Sequence, residues 1–157
     1  MAYVEYGHNH FEASVYYNHE TEADQKIIAI IQQASKFVYF SVYTFTLPDI
    51  KDALLGAKHR GLKVAGIVDK NQLASLPSQK KIVAELERAG IPIETQNHSA
   101  IMHMKVVVTD NGYVSGSYNW TAAATNDNDE VIEVGHSEGV RRQYERVVKT
   151  VLHKYAP

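Results

Sequence analysis

The sequence predicts an α/β fold in which helices flank a mixed, largely buried β-sheet. Apolar strand-like stretches alternate with amphipathic helical stretches, and one helical stretch directly joins two apolar strands. The 157 residues are 45% hydrophobic and 22% charged, which is typical of a soluble domain that buries a substantial core. We therefore expect a single domain over residues 1–157.

The first half of the chain predicts strands and helices in alternation. Val4–Tyr6 and Ala13–Tyr17 are short stretches rich in β-forming residues, and the apolar residues between positions 23 and 34 recur at helical spacing. Residues 37–45 predict a buried strand. Pro48 then begins a helix, because the first helical turn tolerates a residue without an N–H group.

A βαβ unit follows, and it determines the direction of two strands. Gly61 ends the second helix, and residues 62–69 (LKVAGIVD) predict a strand parallel to the one before that helix. Further along, the pattern predicts a helix over 78–89, strands over 91–95 and 131–134, and a final helix over 138–155.

A hairpin is predicted between these elements. Lys105–Thr109 and Tyr113–Ser117 flank Asn111-Gly112, the dipeptide that most strongly favours a two-residue turn. Side chains alternate faces along a strand, so His103 and Lys105 point the same way. Antiparallel pairing brings the far end of the hairpin back beside them.

Four polar groups therefore converge in one small volume: an imidazole, an ammonium, a hydroxyl and an amide, from His103, Lys105, Ser117 and Asn119. Lysine and asparagine can donate hydrogen bonds to phosphate oxygens, while histidine can attack phosphorus or transfer a proton. The set favours phosphoryl chemistry.

The pattern resembles the HKD signature of the phospholipase D superfamily. The signature residues are His103, Lys105 and Asp110, followed by Gly116, Ser117 and Asn119. The chain also resembles the small bacterial Nuc-type endonucleases of that superfamily in three further features. These are YTFT before a helix, the stretch KHRGLKVAGIVD, and a glutamate after the asparagine. One departure lies at the turn, where five residues rather than the usual six separate the aspartate from the Gly-Ser pair.

The resemblance implies a role for each residue. His103 would attack phosphorus and form a phosphohistidine, while Lys105 and Asn119 hold the phosphoryl oxygens and Ser117 supports them. Glu130 would accept a hydrogen bond from the other ring nitrogen of His103 and fix its tautomer.

Asp110 and Gly116 are expected to be structural members of the motif, with Asp110 ordering the turn. The mechanism needs two histidines, yet the sequence contains one HxK motif. The resemblance therefore implies a homodimer with one shared site. Paired lysines and asparagines would supply the positive field, so no metal and no cofactor are expected.

Other features have simpler interpretations. His8, Asn9, His10 and His19 could indicate a metal site, but we interpret these histidines as solvated or packed. His98 is expected in a loop. Four aromatic residues are interpreted as core rather than as platforms for nucleobases: Tyr39, Tyr43, Phe45 and Trp120.

The predicted function is a metal-independent endonuclease that hydrolyses DNA or RNA. Two alternatives stay open: a phospholipase D-type lipid phosphodiesterase, and a catalytically silent nucleic-acid-binding dimer. The net charge of −2 gives no global attraction to nucleic acid, and the absence of cysteine excludes thiolate chemistry. No apolar run reaches membrane-spanning length, so no stable membrane association is expected. The first residues contain no secretion signal, although a protein whose signal had been removed would look the same.

Overall fold

The computed structural model describes residues 2–6 and 9–157, with side chains described from Ala13 onward. Within these residues the strands are β1 Ala2–Tyr6, β2 Asn9–Tyr17, β3 Phe37–Val42, β4 Lys63–Val68, β5 Ile93–Thr95, β6 Lys105–Thr109, β7 Tyr113–Gly116 and β8 Val131–Gly135. The helices are α1 Ala23–Gln33, α2 Pro48–His59, α3 Lys70–Ser75, α4 Pro77–Arg88, α5 Ala122–Asn126 and α6 Glu138–Tyr155.

The described strands form one mixed sheet in the order β1-β2-β8-β7-β6-β3-β4-β5. β3, β4 and β5 run parallel, whereas every other neighbouring pair is antiparallel. Because β6 is antiparallel to β3, it begins at the edge of the sheet where β3 and β4 end. The predicted α/β class, a mixed and largely buried sheet flanked by helices, is confirmed.

Helices cover both faces of the sheet. Alternate residues of β3 point to opposite sides, so Phe40 joins the larger core cluster with Ile27 and Leu54, whereas Tyr39 joins a smaller one with Val148 of α6. Burial of these side chains is the main stabilising term for the fold.

Two predicted boundaries are correct, one predicted strand ends early, and one helix was not predicted. Pro48 begins α2, and Gly61 follows it at a φ of +89°, a conformation that glycine adopts without steric cost. The strand predicted over 37–45 ends at Val42, and Phe45 beyond it forms only an isolated bridge with Trp120. The short helix α3 was not predicted from the sequence.

The β6–β7 turn also differs from its prediction. Thr109 N donates to Gly112 O at 2.8 Å, so Asp110 and Asn111 are the two turn residues rather than Asn111 and Gly112. The Thr109 hydroxyl accepts hydrogen bonds from the backbone N–H groups of Asn111 and Gly112, and these bonds stabilise the turn at Asp110 and Asn111. The register then pairs Val106 with Ser115.

Candidate active site

The HxK half of the motif lies at the edge of the sheet where β6 begins. His103 precedes β6 by two residues, and its ring is exposed. Lys105 is the first residue of β6 and pairs with Val42, the last residue of β3. Tyr43 N donates to Met104 O at 3.0 Å, which continues this pairing past the end of β3.

His103 and Lys105 contact each other directly. Lys105 Nζ lies 3.1 Å from His103 Nε2 and donates to His103 O at 3.0 Å. An ammonium group can only donate, so this contact suits the tautomer of His103 that has its lone pair on Nε2 and its proton on Nδ1. Burial lowers the pKa of Lys105, and the negative charge of Glu130 opposes that shift. The lone pair that a nucleophile requires is therefore on Nε2.

Tyr43 packs against both groups. Its ring meets the His103 ring edge-on with centroids 4.9 Å apart, and Lys105 Nζ lies 5.6 Å from its centroid. The interpretation of Tyr39, Phe45 and Trp120 as core residues is correct, because all three are buried. For Tyr43 that interpretation is wrong: it is half-buried and lines the site.

The second half of the motif surrounds Glu130. Ser117 Oγ donates to Glu130 Oε1 at 2.5 Å and accepts from Val131 N at 3.1 Å. Asn128 Nδ2 donates to Glu130 Oε2 at 3.2 Å. Among the described side chains, Glu130 thus hydrogen bonds to Ser117 and Asn128, and the predicted hydrogen bond from His103 is not formed. Its negative charge acts on Lys105, where it opposes the lowering of the pKa by burial.

Asn119 is joined to the segment that follows β3. Its Oδ1 accepts from Thr44 N at 3.2 Å, while Thr44 O accepts from Trp120 N at 3.0 Å. With the carbonyl oxygen engaged, the NH₂ group is the end of Asn119 that can donate to a phosphate. Residues 43–47 therefore bridge the two halves of the motif.

Gly116 allows β7 to approach β8 closely. Its φ is +155°, and a Cβ placed there would lie 2.1 Å from Val131 O. Any side chain would push the two strands apart at the point where Ser117 N donates to Val131 O. Gly116 is thus needed to bring Ser117 to Glu130.

Asp110 lies at the far end of β6 and orders two loops. Its carboxylate accepts hydrogen bonds from Ser35 Oγ and from the backbone N–H groups of Ser35, Lys36 and Phe37. Burial would raise the pKa of Asp110, but these hydrogen bonds outweigh it and hold the pKa at about 2. They join the β6–β7 turn to the segment that enters β3.

The low pKa of Asp110 predicts a loss of stability in acid. A carboxyl whose pKa falls from 3.8 to about 2 on folding stabilises the protein above pH 3.8, and this contribution disappears as the pH falls toward 2. We expect Asp110→Asn to lower the free energy of unfolding by about 2 kcal/mol at pH 7. Urea unfolding at pH 7, 4 and 2.5 should show the difference from wild type shrinking. A difference that does not change with pH would contradict this account.

Asp69 is a positioning residue that was not predicted from the sequence. It follows β4, is fully buried, and accepts at Oδ1 from the backbone N–H groups of Asn71 and Gln72. Its Oδ2 accepts from Met102 N at 3.0 Å and from Gln96 Nε2 at 2.7 Å. Burial would raise the pKa of Asp69, but the hydrogen bonds lower it overall. The residue that precedes His103 is fixed in this way.

Asn18 positions Glu130, as Asp69 positions the residue before His103. It is buried, and its Nδ2 donates to the carbonyl oxygens of Ala124 and Asn128. Its Oδ1 accepts from Glu130 N at 2.9 Å. All of its hydrogen-bonding ends are thus satisfied inside the protein, as a buried amide requires. An asparagine directly after a predicted strand is a weak sequence signal, and it did not predict this role.

The histidines outside the motif lie elsewhere. His8 is outside the described residues, and the side chains of Asn9 and His10 are not described. His19 Nε2 lies 3.7 Å from Asp129 Oδ1, and His98 Nε2 lies 2.8 Å from the Tyr155 hydroxyl. Among the side chains described from Ala13 onward, no group of three acidic or histidine residues could hold a metal ion.

Comparison with known families identifies the fold and the motif together. A family model described as "Cardiolipin synthase, PLD-like domain" matches residues 27–152, which include both halves of the motif. The chain belongs to the phospholipase D-like family. The predicted superfamily is therefore confirmed. The motif residues from His103 to Glu130 lie within the match, whereas Asn18, which positions Glu130, lies before it.

Curated relatives of this phospholipase D-like chain are named as cardiolipin hydrolases and as phospholipases D. The mitochondrial cardiolipin hydrolase of Xenopus tropicalis is 29% identical over 140 residues, which are 88% of this chain and 65% of the relative. A phospholipase D of Rickettsia conorii is 31% identical over 115 residues, or 73% of this chain and 56% of the relative. The chain thus spans less than two thirds of the length of these relatives.

Two solved structures match almost end to end. Nuc from Salmonella typhimurium, a phospholipase D family member, superposes with a TM-score of 0.85 and 26% identity, over 93% of this chain and 97% of Nuc. NucT from Helicobacter pylori shares the fold, with a TM-score of 0.84 and 22% identity over 93% and 98% of the two chains. In the described part of the phospholipase D-like chain, no helix has the length and apolar character needed to cross a bilayer.

Proposed function

We propose that this phospholipase D-like protein is a phosphodiesterase that cleaves DNA or RNA internally, through a phosphohistidine on His103, at a site shared by two copies of the chain. The observation that carries the proposal is the arrangement at the start of β6, where Lys105 contacts His103 Nε2. Asn119 is joined to the same region through Thr44. A nucleophile and two phosphate-binding donors thus belong to one edge of the sheet.

The first step uses the lone pair on His103 Nε2. It forms a bond to phosphorus while the bond to the leaving oxygen breaks, and the His103 of a second copy protonates that oxygen. That second imidazole, now neutral, removes a proton from water, and the resulting attack breaks the P–N bond. Lys105 must leave Nε2 for this step, and a phosphoryl oxygen is the acceptor to which its ammonium would move.

The second copy supplies what one chain lacks. The reaction needs a neutral imidazole and a charged one together, and one HxK motif provides a single imidazole. Two identical imidazoles in contact would titrate as a pair, so the rate should depend on pH as a bell-shaped curve. In this proposal Ser117 holds Glu130 by a hydrogen bond, and the negative charge of Glu130 opposes the lowering of the Lys105 pKa by burial.

Nucleic acid is favoured as the substrate by the extent of the match. The chain aligns with 97% of Nuc, whereas it covers only 65% of the Xenopus cardiolipin hydrolase. The sequence also resembles the Nuc-type endonucleases along nearly its whole length. We also propose that residues 1–157 act as a single domain.

Lipid hydrolysis is the second candidate, and a specific observation favours it. Two relatives are named for lipid substrates, and Ile101 and Val131 are 49% and 48% exposed beside His103 and Glu130. An apolar rim at the site is what a lipid phosphodiesterase would present to a membrane surface. Release of phosphatidic acid from liposomes of cardiolipin or phosphatidylcholine would support this candidate.

One assay separates these functions. Wild type and His103→Ala are incubated with supercoiled plasmid, single-stranded RNA and the liposomes, and products are measured. Cleavage of nucleic acid by wild type alone supports the proposal, and cleavage of lipid alone replaces it with the second candidate. Retardation of DNA in a gel without cleavage would indicate a catalytically silent binding protein.

Metal independence is a further expected result. Lysine and asparagine donors supply the positive field, so activity in excess EDTA should stay within about twofold of activity without it. The initial rate of plasmid nicking measures this directly. Loss of activity in EDTA, followed by recovery on addition of Mg²⁺, would overturn the metal-free mechanism.

A further inference from the structure

Tyr43 is held at the site by contacts from two directions. Its backbone donates to Met104 O, between His103 and Lys105, and its ring packs against both of their side chains. The adjoining residues are tied down as well: Phe45 N donates to Oε1 of the fully buried Gln79 at 2.8 Å. The position of Tyr43 is therefore set by the fold as well as by its own packing.

The Tyr43 hydroxyl is engaged by one amide. Gln72 Nε2 donates to Tyr43 Oη at 3.0 Å, and Gln72 Oε1 accepts from Thr44 Oγ1 at 3.0 Å. Gln72 is in the first turn of α3, and its backbone N–H is capped by Asp69. Because the Thr44 hydroxyl donates to Oε1, the NH₂ end of Gln72 faces Tyr43.

This arrangement leaves the phenolic hydrogen of Tyr43 available. A phenol has one hydrogen to donate and lone pairs to accept with, and Gln72 occupies a lone pair. The Lys105 ammonium lies over the ring, so that face is not a free platform for a nucleobase. The hydroxyl hydrogen is thus the group that Tyr43 can offer to a ligand.

We propose that Tyr43 is a further substrate-contacting residue whose hydroxyl donates to a non-bridging oxygen of the phosphoryl group at His103, and that Gln72 orients this hydrogen. The inference rests on the proposed phosphodiesterase function and adds a neutral donor to Lys105 and Asn119. A neutral donor beside a partly desolvated lysine supports the developing charge on the phosphoryl oxygens without repelling the ammonium.

Three variants test whether the hydroxyl hydrogen of Tyr43 is donated to the substrate. Tyr43→Phe removes the hydroxyl hydrogen. Gln72→Glu turns that hydrogen away from the substrate, because a carboxylate would accept hydrogen bonds from both Thr44 and Tyr43. Gln72→Met removes the amide but leaves the hydrogen free. Using bis(p-nitrophenyl) phosphate, we expect kcat to fall about 10- to 100-fold in the first two variants. In Gln72→Met the hydrogen is present but no longer oriented, so we expect a smaller fall, of about three- to tenfold. Each rate is taken at the pH optimum of its variant, because Gln72→Glu adds a charge.

The double variant and a matched control sharpen the test. Tyr43→Phe combined with Gln72→Glu should fall no further than Tyr43→Phe alone, because both changes remove one hydrogen bond. Tyr39→Phe, which alters a buried tyrosine packed under α6, should keep wild-type kcat. Wild-type kcat in Tyr43→Phe would overturn the proposal, and so would an equal loss in Gln72→Met and Gln72→Glu.

Failure of the proposed function would be recognised separately. If wild type hydrolysed none of the phosphodiesters, that function would be wrong, and binding of tungstate, a phosphate analogue, would decide the role of Tyr43. Calorimetry should then show binding to Tyr43→Phe weakened about 5- to 10-fold relative to Tyr39→Phe. Equal affinities would contradict a hydrogen bond from Tyr43 to the bound oxyanion.

Discussion

Replacing His103 with alanine should lower kcat for phosphodiester hydrolysis by at least about 10⁴-fold, because in the proposed mechanism it removes the nucleophile and, in the second copy, the acid. The ring is exposed, so the free energy of unfolding should change by less than about 0.5 kcal/mol. Initial rates with bis(p-nitrophenyl) phosphate and plasmid DNA, together with urea unfolding, measure both quantities.

His98→Ala is the matched control for that experiment. His98 lies in the same loop and is also exposed, but its ring contacts the Tyr155 hydroxyl rather than the site. This variant should keep at least about half of the wild-type rate. Retention of more than about a tenth of the activity in His103→Ala would show that another group attacks phosphorus.

Replacing Asp69 with asparagine should have the largest effect on stability among the positioning residues. The asparagine oxygen can still accept from the backbone of α3, but its NH₂ group would then face two donors, Met102 N and Gln96 Nε2. Buried donors without acceptors cost about 1–3 kcal/mol each, so we expect a loss of about 2–4 kcal/mol. Urea unfolding measures it, and kcat should fall because Met102 precedes His103.

Asp52→Asn provides the comparison. Asp52 is exposed on α2 and pairs with Lys51 at 3.2 Å, a surface contact of the kind that contributes less than about 1 kcal/mol. We expect unchanged kcat in this variant. Equal losses of stability in the two variants would mean that Asp69 does not fix the loop before His103.

The fold was largely predictable because its signals are local. Alternating apolar stretches, Pro48 at the start of α2 and Gly61 after its end each act within a few residues of the chain. The short helix α3 was missed because none of its residues is buried, so it has no apolar periodicity to detect. Its start depends instead on the Asp69 cap.

The β6–β7 turn shows where local propensity was overridden. Asn111-Gly112 favours a tight turn of its own, yet Asp110 binds the backbone before β3 and the Thr109 hydroxyl binds the two following N–H groups. These contacts move the turn back by one residue. The contact with residues 35–37 comes from a distant part of the chain, which periodicity does not reveal.

The motif predicted from the sequence that four of the site residues lie close together, but the residues that support them were identified only in the structure. Asn18 reaches Glu130 across most of the chain, and Gln72 reaches Tyr43 from a separate helix. Neither pair has a characteristic spacing. The contact of Glu130 with Ser117, rather than with His103, likewise depends on the close approach of β7 and β8 at Gly116.

The most direct test of a site shared by two copies is subunit mixing. Wild-type and His103→Ala chains are unfolded together, refolded at a series of ratios, and assayed at constant total protein. If each site needs His103 from both copies, activity should fall with the square of the wild-type fraction, to about a quarter at equal amounts. A linear fall, to one half at equal amounts, would show that each chain works alone and would contradict the account.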